Sequence, residues 1–223
     1  MDPRLAHLDT WLFDLDNTLY PASADLFALV DERMTRFIGA HLGVDPDEAH
    51  AVQKLYFREH GTTLAGLMAR HAVDPHEFLE FVHDIELDRI APDARLAALI
   101  DALPGRKLVF TNGDVDYAAR ILGKLGLQES FEAVYDIVAM DLVPKPDARA
   151  YRGLCAAHAV APERALFVDD MARNLAPAKA LGMTTVWLDN GSDQAEGTYC
   201  PSFVDHRIRD LGDWLSEVLK EPA

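Results

Sequence analysis

Short apolar runs recur along the chain, and most of them end in polar or acidic residues. Residues 10–15 are rich in large apolar side chains and run into Asp14, Asp16 and Asn17, the pattern of a buried strand that ends in a loop. Comparable runs follow at 107–111, 133–138, 165–169 and 184–188. Between them, apolar positions at helical spacing predict helices over about 91–103, 115–125, 148–158 and 175–181. Strands alternating with helices imply a parallel sheet covered on both faces. The expected fold is therefore α/β, with a doubly wound (Rossmann-like) parallel sheet core.

One stretch breaks the alternation, because residues 25–89 show only helical patterns. Leu26, Leu29, Val30, Arg33, Phe37 and Ile38 recur at helical spacing. In Asp45-Pro46-Asp47-Glu48 an N-cap acid precedes a proline at the first helical position, with a second acid three residues after the cap. Asp74-Pro75-His76-Glu77 repeats that start signal, and Gly61 with the threonines after it divides two helices. These signals predict a helical cap domain over 21–91, inserted between the first two strands of a core formed by 1–20 and 92–223. We read the insert as a lid over a sheet-edge active site; the competing reading is an all-helical second domain with no part in the site. A further amphipathic pattern around 208–219, in the acidic stretch from Asp205 onward, predicts a helix packed on the core.

Composition narrows the function. The 223 residues are 49% hydrophobic and 26% charged, ordinary values for a globular protein, with no repeat or low-complexity tract. The net charge of −16 disfavours nucleic acid polymers and anionic membrane surfaces as partners. Small phosphorylated ligands stay compatible with it, because a bound cation reverses the sign inside one site. Cys155 and Cys200 allow one bridge at most, which fits a reducing compartment. Residues 1–10 hold no apolar leader pattern, and no apolar run approaches the ~20 residues of a membrane span, so a cytoplasmic location is expected. His60, His71, His76 and His83 lack zinc-like spacing and read as surface or capping residues. Cys155, Trp11 and Trp187 read as packing residues.

Candidate chemistry gathers at strand ends. In Asp14-Leu15-Asp16-Asn17-Thr18 the two aspartates share one face of an extended chain, beyond the carboxyl end of a strand where parallel sheets bind ligands. Two close carboxylates repel, so one takes a proton or both share a cation; taken alone the pair reads as a solvated loop. Phe110 leads into Thr111-Asn112-Gly113 just before a helix, where backbone amides suit an anionic oxygen. Val168 leads into Asp169-Asp170, with Asn174 close behind. Pro144-Lys145-Pro146 stiffens the backbone around a lysine that alone would read as a surface residue. If Asp14, Asp16 and Asp170 converge at one sheet edge, burial unpaired would cost several kcal/mol each. A hard divalent cation such as Mg²⁺ is the simple remedy, with Lys145 and Thr111 left to meet phosphate oxygens.

These four motifs, in this order, resemble the haloacid dehalogenase (HAD) superfamily of phosphohydrolases, and the insert resembles that superfamily's helical cap. The resemblance implies a Mg²⁺-dependent phosphomonoesterase that works through an aspartyl-phosphate. Asp14 would be the nucleophile and Asp16 the general acid and base. Mg²⁺ would sit on the Asp14 carboxylate, the Asp16 backbone carbonyl and Asp170. Lys145 would hold Asp14 and phosphate, Thr111 and the Asn112 amide would bind phosphate oxygens, and Thr18 would support the metal-binding acids from behind. Many relatives carry Gly where this chain has Asp169 and Asp where it has Asn174. Either Asp169 or Asp170 would then serve as ligand, with Asp170 at the family's ligand position and Asn174 acting through water or hydrogen bonds.

More narrowly, residues 13–21 and Phe81-Val82-His83-Asp84 resemble the pyrimidine 5′-nucleotidase branch, which implies a nucleoside 5′-monophosphate such as UMP or CMP. Alternatives are a phosphatase of phosphoglycolate or a sugar phosphate, a phosphosugar mutase, and a non-catalytic scaffold. Haloalkanoate dehalogenases of the superfamily lack the second aspartate, so the presence of Asp16 favours phosphorus over carbon chemistry.

Overall fold

In the computed structural model, which describes residues 1–191 and 201–220, six strands form one sheet. They are β1 (Thr10–Phe13), β2 (Arg106–Phe110), β3 (Ala133–Tyr135), β4 (Ala165–Asp169), β5 (Thr184–Leu188) and β6 (His206–Ile208). The order is β3-β2-β1-β4-β5-β6, and every neighbouring pair is parallel. The chain thus winds outward in both directions from β1, and the order reverses between β1 and β4. That switch point opens a crevice beyond the carboxyl ends of the strands. Trp11, Leu12 and Phe13 are fully buried, because β1 is central and covered on both faces. Trp11 and Trp187 pack as the apolar runs imply, and each indole also donates: Trp11 Nε1 to the Pro104 carbonyl at 2.8 Å, Trp187 Nε1 to the Asp170 carbonyl at 2.9 Å.

Between β1 and β2 the helices α1 (Phe27–Leu42), α2 (Pro46–His60), α3 (Thr63–His71) and α4 (Pro75–His83) form the predicted helical block. Asp45 and Asp74 cap α2 and α4 with a proline at the helix start, and Thr62 caps α3. Phe37 joins α1 to α4 through an edge contact with Phe78 at 5.1 Å. A Cβ at Gly66 would lie 2.4 Å from Tyr56 Cβ, so α2 and α3 approach at a contact that only glycine allows. The two chain crossings into this block are tied together, since Arg89 donates to the Asp25 carbonyl at 2.6 Å.

The core helices are α5 (Ala94–Ala102), α6 (Val115–Leu125), α7 (Ala148–His158), α8 (Ala172–Leu181) and α9 (Leu211–Leu219). Several boundaries differ from the apolar pattern. The run at 133–138 stops being strand at Tyr135, because Asp136 turns to accept from the Val115 and Ala139 amides. Helix α8 begins at Ala172, ahead of the expected 175. The stretch from 206 to 208 pairs with β5 as an edge strand, so the last helix starts at Leu211. The three-residue β6 is too short and polar to show a strand pattern. Cys155 is half-buried against the core, and Cys200 lies outside the described residues. No helix among the described residues is long and apolar enough to cross a membrane.

Candidate active site

The crevice between β1 and β4 is built around one buried lysine. Lys145, 1% exposed, donates to Asp14 Oδ1 at 2.6 Å, Asp169 Oδ2 at 2.8 Å and the Phe110 carbonyl at 2.8 Å. Its Nζ also lies 5.1 Å from the ring centres of Phe110 and Phe167. Asn112 holds the lysine's backbone from both sides: its Oδ1 accepts from Lys145 N at 2.8 Å and its Nδ2 donates to Lys145 O at 3.2 Å. The Asn112 side chain therefore has a brace role that sequence reasoning, which considered only its amide, did not include. Burial favours the neutral amine, but Asp14 and Asp169 outweigh it and hold the Lys145 ammonium charged.

Asp14 follows β1 directly, and its amide still pairs with the Val168 carbonyl at 2.9 Å. Thr18 donates to Asp14 Oδ2 at 3.3 Å. Burial pushes the Asp14 carboxyl above the usual range, opposed by Lys145 and aided by Asp16. Asp169 ends β4 with no exposure at all. Its Oδ1 accepts from Met171 N at 2.8 Å and Asn174 Nδ2 at 3.0 Å; its Oδ2 accepts from Lys145 and from Asn174 Nδ2 at 3.0 Å. Burial raises its carboxyl as well, again against Lys145. Asp170 is buried beside them, and one carboxylate oxygen from each of Asp14, Asp169 and Asp170 lies within 4.8 Å of the others. Lys145 pairs with two of these three clustered buried carboxylates, and an acidic oxygen set of this kind suits a divalent cation. Asn174 Oδ1 is buried and without a hydrogen-bond partner among the described residues.

Thr111, at the end of β2, is fully buried; its Oγ1 accepts from the Gly113 amide at 3.0 Å. Asp16 is set apart from the lysine. Its Oδ1 accepts from two phenols, Tyr20 at 2.7 Å and Tyr117 at 2.8 Å. Burial, then the Asp16 charge, pushes both phenols well above their usual values, so both stay protonated donors. The ring of His83, from α4, stacks on Tyr117 with centroids 4.2 Å apart and planes 9° off parallel. His83 Nδ1 bonds Asp114, the N-cap of α6. His83 is therefore buried and engaged, a correction to its reading as a surface or capping residue. Neither tyrosine was distinguished from core packing in the sequence, although Tyr20 stands inside the first motif.

The fold and this cluster define a class: a doubly wound α/β protein with helices inserted after its first strand and acids converging on one lysine at the switch point. The chain belongs to the haloacid dehalogenase-like hydrolase family, whose model matches residues 8–182. It is 29% identical over 230 residues to phosphate metabolism protein 8 of Saccharomyces cerevisiae, covering 95% of this chain and 71% of that protein. It is 30% identical over 193 residues to enolase-phosphatase E1 of Acidiphilium cryptum, covering 77% of this chain and 81% of that protein. A solved HAD phosphatase from Thermococcus onnurineus superposes with a TM-score of 0.63 at 20% identity, covering 97% of this chain and 100% of that one.

Proposed function

We propose that this hydrolase is a Mg²⁺-dependent phosphomonoesterase acting on a small phosphorylated metabolite, a nucleoside 5′-monophosphate of the pyrimidine type. The observation that carries the reading is the Lys145 bridge: a buried cation orients a buried carboxylate beside two further acids, at the switch point of the sheet. The relative named enolase-phosphatase E1 supports phosphorus chemistry. The residues fit the ion: the Asp14 and Asp170 carboxylates and the Asp16 backbone carbonyl would hold it. Asp169, with four donor contacts already, serves Lys145 rather than the metal. When bound, the ion supplies positive charge for the acids and the substrate's phosphate oxygens.

Asp14 attacks phosphorus, forming an acyl phosphate bond as the ester P–O bond breaks. Asp16 gives its proton to the departing alkoxide, then takes one from the water that hydrolyses the intermediate. Phosphate leaves and the Asp14 carboxylate is restored. Lys145 keeps Asp14 aligned, while the Thr111 hydroxyl and the Asn112 amide take phosphate oxygens. Each such donor is worth about 10²–10³ in rate. The helical block acts as a cap over the site, with 21–91 as cap and 1–20 with 92–223 as core, in a cytoplasmic protein.

The test is phosphate release from UMP, CMP, dUMP, AMP, phosphoglycolate, glucose 6-phosphate and an aryl phosphate, with Mg²⁺ and with EDTA. Metal-dependent turnover concentrated on UMP and CMP is expected. Turnover spread evenly, or confined to a non-nucleotide, would discard the nucleotidase branch and keep the phosphatase. No metal-dependent turnover on any ester would overturn both.

A further inference from the structure

We infer that Tyr20 and Tyr117 are positioning residues that fix the rotation of the Asp16 carboxylate, so that Oδ1 is held by the two phenols and Oδ2 alone faces the leaving group. The inference rests on the phosphatase reading, in which Asp16 is the acid. Its observation is separate from the lysine cluster: two buried hydroxyls from different elements, the loop after β1 and helix α6, converge on one oxygen at 2.7 and 2.8 Å. A carboxylate on a short side chain swings about χ1 and χ2 unless it is tethered; two donors at fixed positions remove that freedom and leave the second oxygen as the site of proton exchange. The helical block takes part as well. Tyr117 is stacked against His83, which is itself tied to the cap residue of the same helix, so seating of α4 on α6 aligns the phenol that aligns Asp16.

Leaving-group chemistry separates this role from simple packing. An alkoxide leaving group needs the Asp16 proton; a dinitrophenolate leaves without one. The variants are Tyr20→Phe, Tyr117→Phe, both together, and His83→Ala, all with near-normal packing volume at the tyrosine positions. Single-turnover rates are read with UMP, or the fastest alkyl ester of the panel, and with 2,4-dinitrophenyl phosphate. Each single Tyr→Phe change is expected to lower the alkyl ester rate about 10-fold and the double change about 100-fold, with KM within about 2-fold. The dinitrophenolate burst should stay within about 3-fold of wild type. His83→Ala should show the same selectivity with a loss of about 3-fold. Equal losses on both esters, or undiminished rates in the double variant, would overturn the inference while wild-type turnover left the phosphatase standing. Undiminished rates in His83→Ala alone would remove α4 from the arrangement. A wild type inactive on every ester would sink the phosphatase reading and this inference with it.

Discussion

Replacing Lys145 by Met removes the ammonium charge and its three hydrogen bonds, to Asp14, Asp169 and the Phe110 carbonyl. The unbranched thioether is apolar and adaptable, and fills most of the lysine's volume, so lost packing is a minor part of the effect. What remains is a pair of buried carboxylates, Asp14 and Asp169, whose nearest cation stood 2.6 and 2.8 Å away. Removing one partner of a buried ion pair costs about 3–5 kcal/mol, because the other charge is left in a poor solvent. The lysine serves two acids, which puts the expectation at the upper part of that range. The loss is large against a total stability of about 5–15 kcal/mol. Its pH dependence has a definite sign. Both carboxyls are already raised by burial with the lysine present, and go further up without it. A carboxyl whose folded pKa lies above its unfolded one destabilises the fold in full above the folded value, and not at all below the unfolded one. The deficit of the variant therefore shrinks as pH falls from 8 toward 5, by about 1.4 kcal/mol per pH unit while one carboxyl titrates. Urea unfolding of wild type and variant in EDTA at pH 8 and pH 5 measures both quantities. A deficit below about 1 kcal/mol at pH 8, or one that does not change with pH, would refute the view of Lys145 as the neutralising centre.

Three further outcomes are expected. Asp14→Asn should abolish phosphate release, by about 10³-fold or more, with the melting temperature retained or raised, since an amide replaces a buried charge beside Asp16; full activity would sink the covalent route. Gly105→Ala should cost about 3 kcal/mol in urea unfolding, because Gly105 has φ of +80° and a Cβ there would meet the Asp9 carbonyl oxygen at 2.2 Å. Asn174→Asp should cost about 3 kcal/mol at pH 8 and less at pH 5, since it sets a carboxylate against both oxygens of Asp169; unchanged stability at both pH values would contradict the arrangement.

The layout of the fold was legible because its period changes. Apolar runs that end in an acid, such as 165–169, stand out between helices, and the helical block announced itself through Asp-Pro starts at Asp45 and Asp74, which cap as their chemistry requires. The acids and the lysine were legible because strand ends in a parallel sheet meet at one edge, so separate motifs could be joined by topology. The tyrosine pair on Asp16 was not. A buried phenol and a buried phenylalanine leave the same mark on hydrophobic periodicity, and the partner of the Tyr117 hydroxyl lies across the fold, 101 residues away. The same holds for His83, whose stack on Tyr117 and bond to Asp114 are tertiary contacts with no local pattern. Edge strand β6 escaped for the opposite reason, since three half-polar residues take strand form only because β5 offers them its free edge.

The two departures of this chain from the family pattern explain each other. An acid at 169, where glycine would leave space, places a second carboxylate against Lys145 and needs further donors to survive complete burial. The Met171 amide provides one, and Asn174 provides another by donating to both of its oxygens at 3.0 Å. An aspartate at 174 has no hydrogen to give and would repel the acid it faces, so Asp169 and an amide at 174 form a matched pair. With its four contacts filled, Asp169 fixes the lysine from behind, and Lys145 in turn presents Asp14. The adjacent acids 169 and 170 thereby differ in what they touch: Asp169 anchors the buried lysine, and Asp170 lies with Asp14 in the acidic cluster at the strand ends.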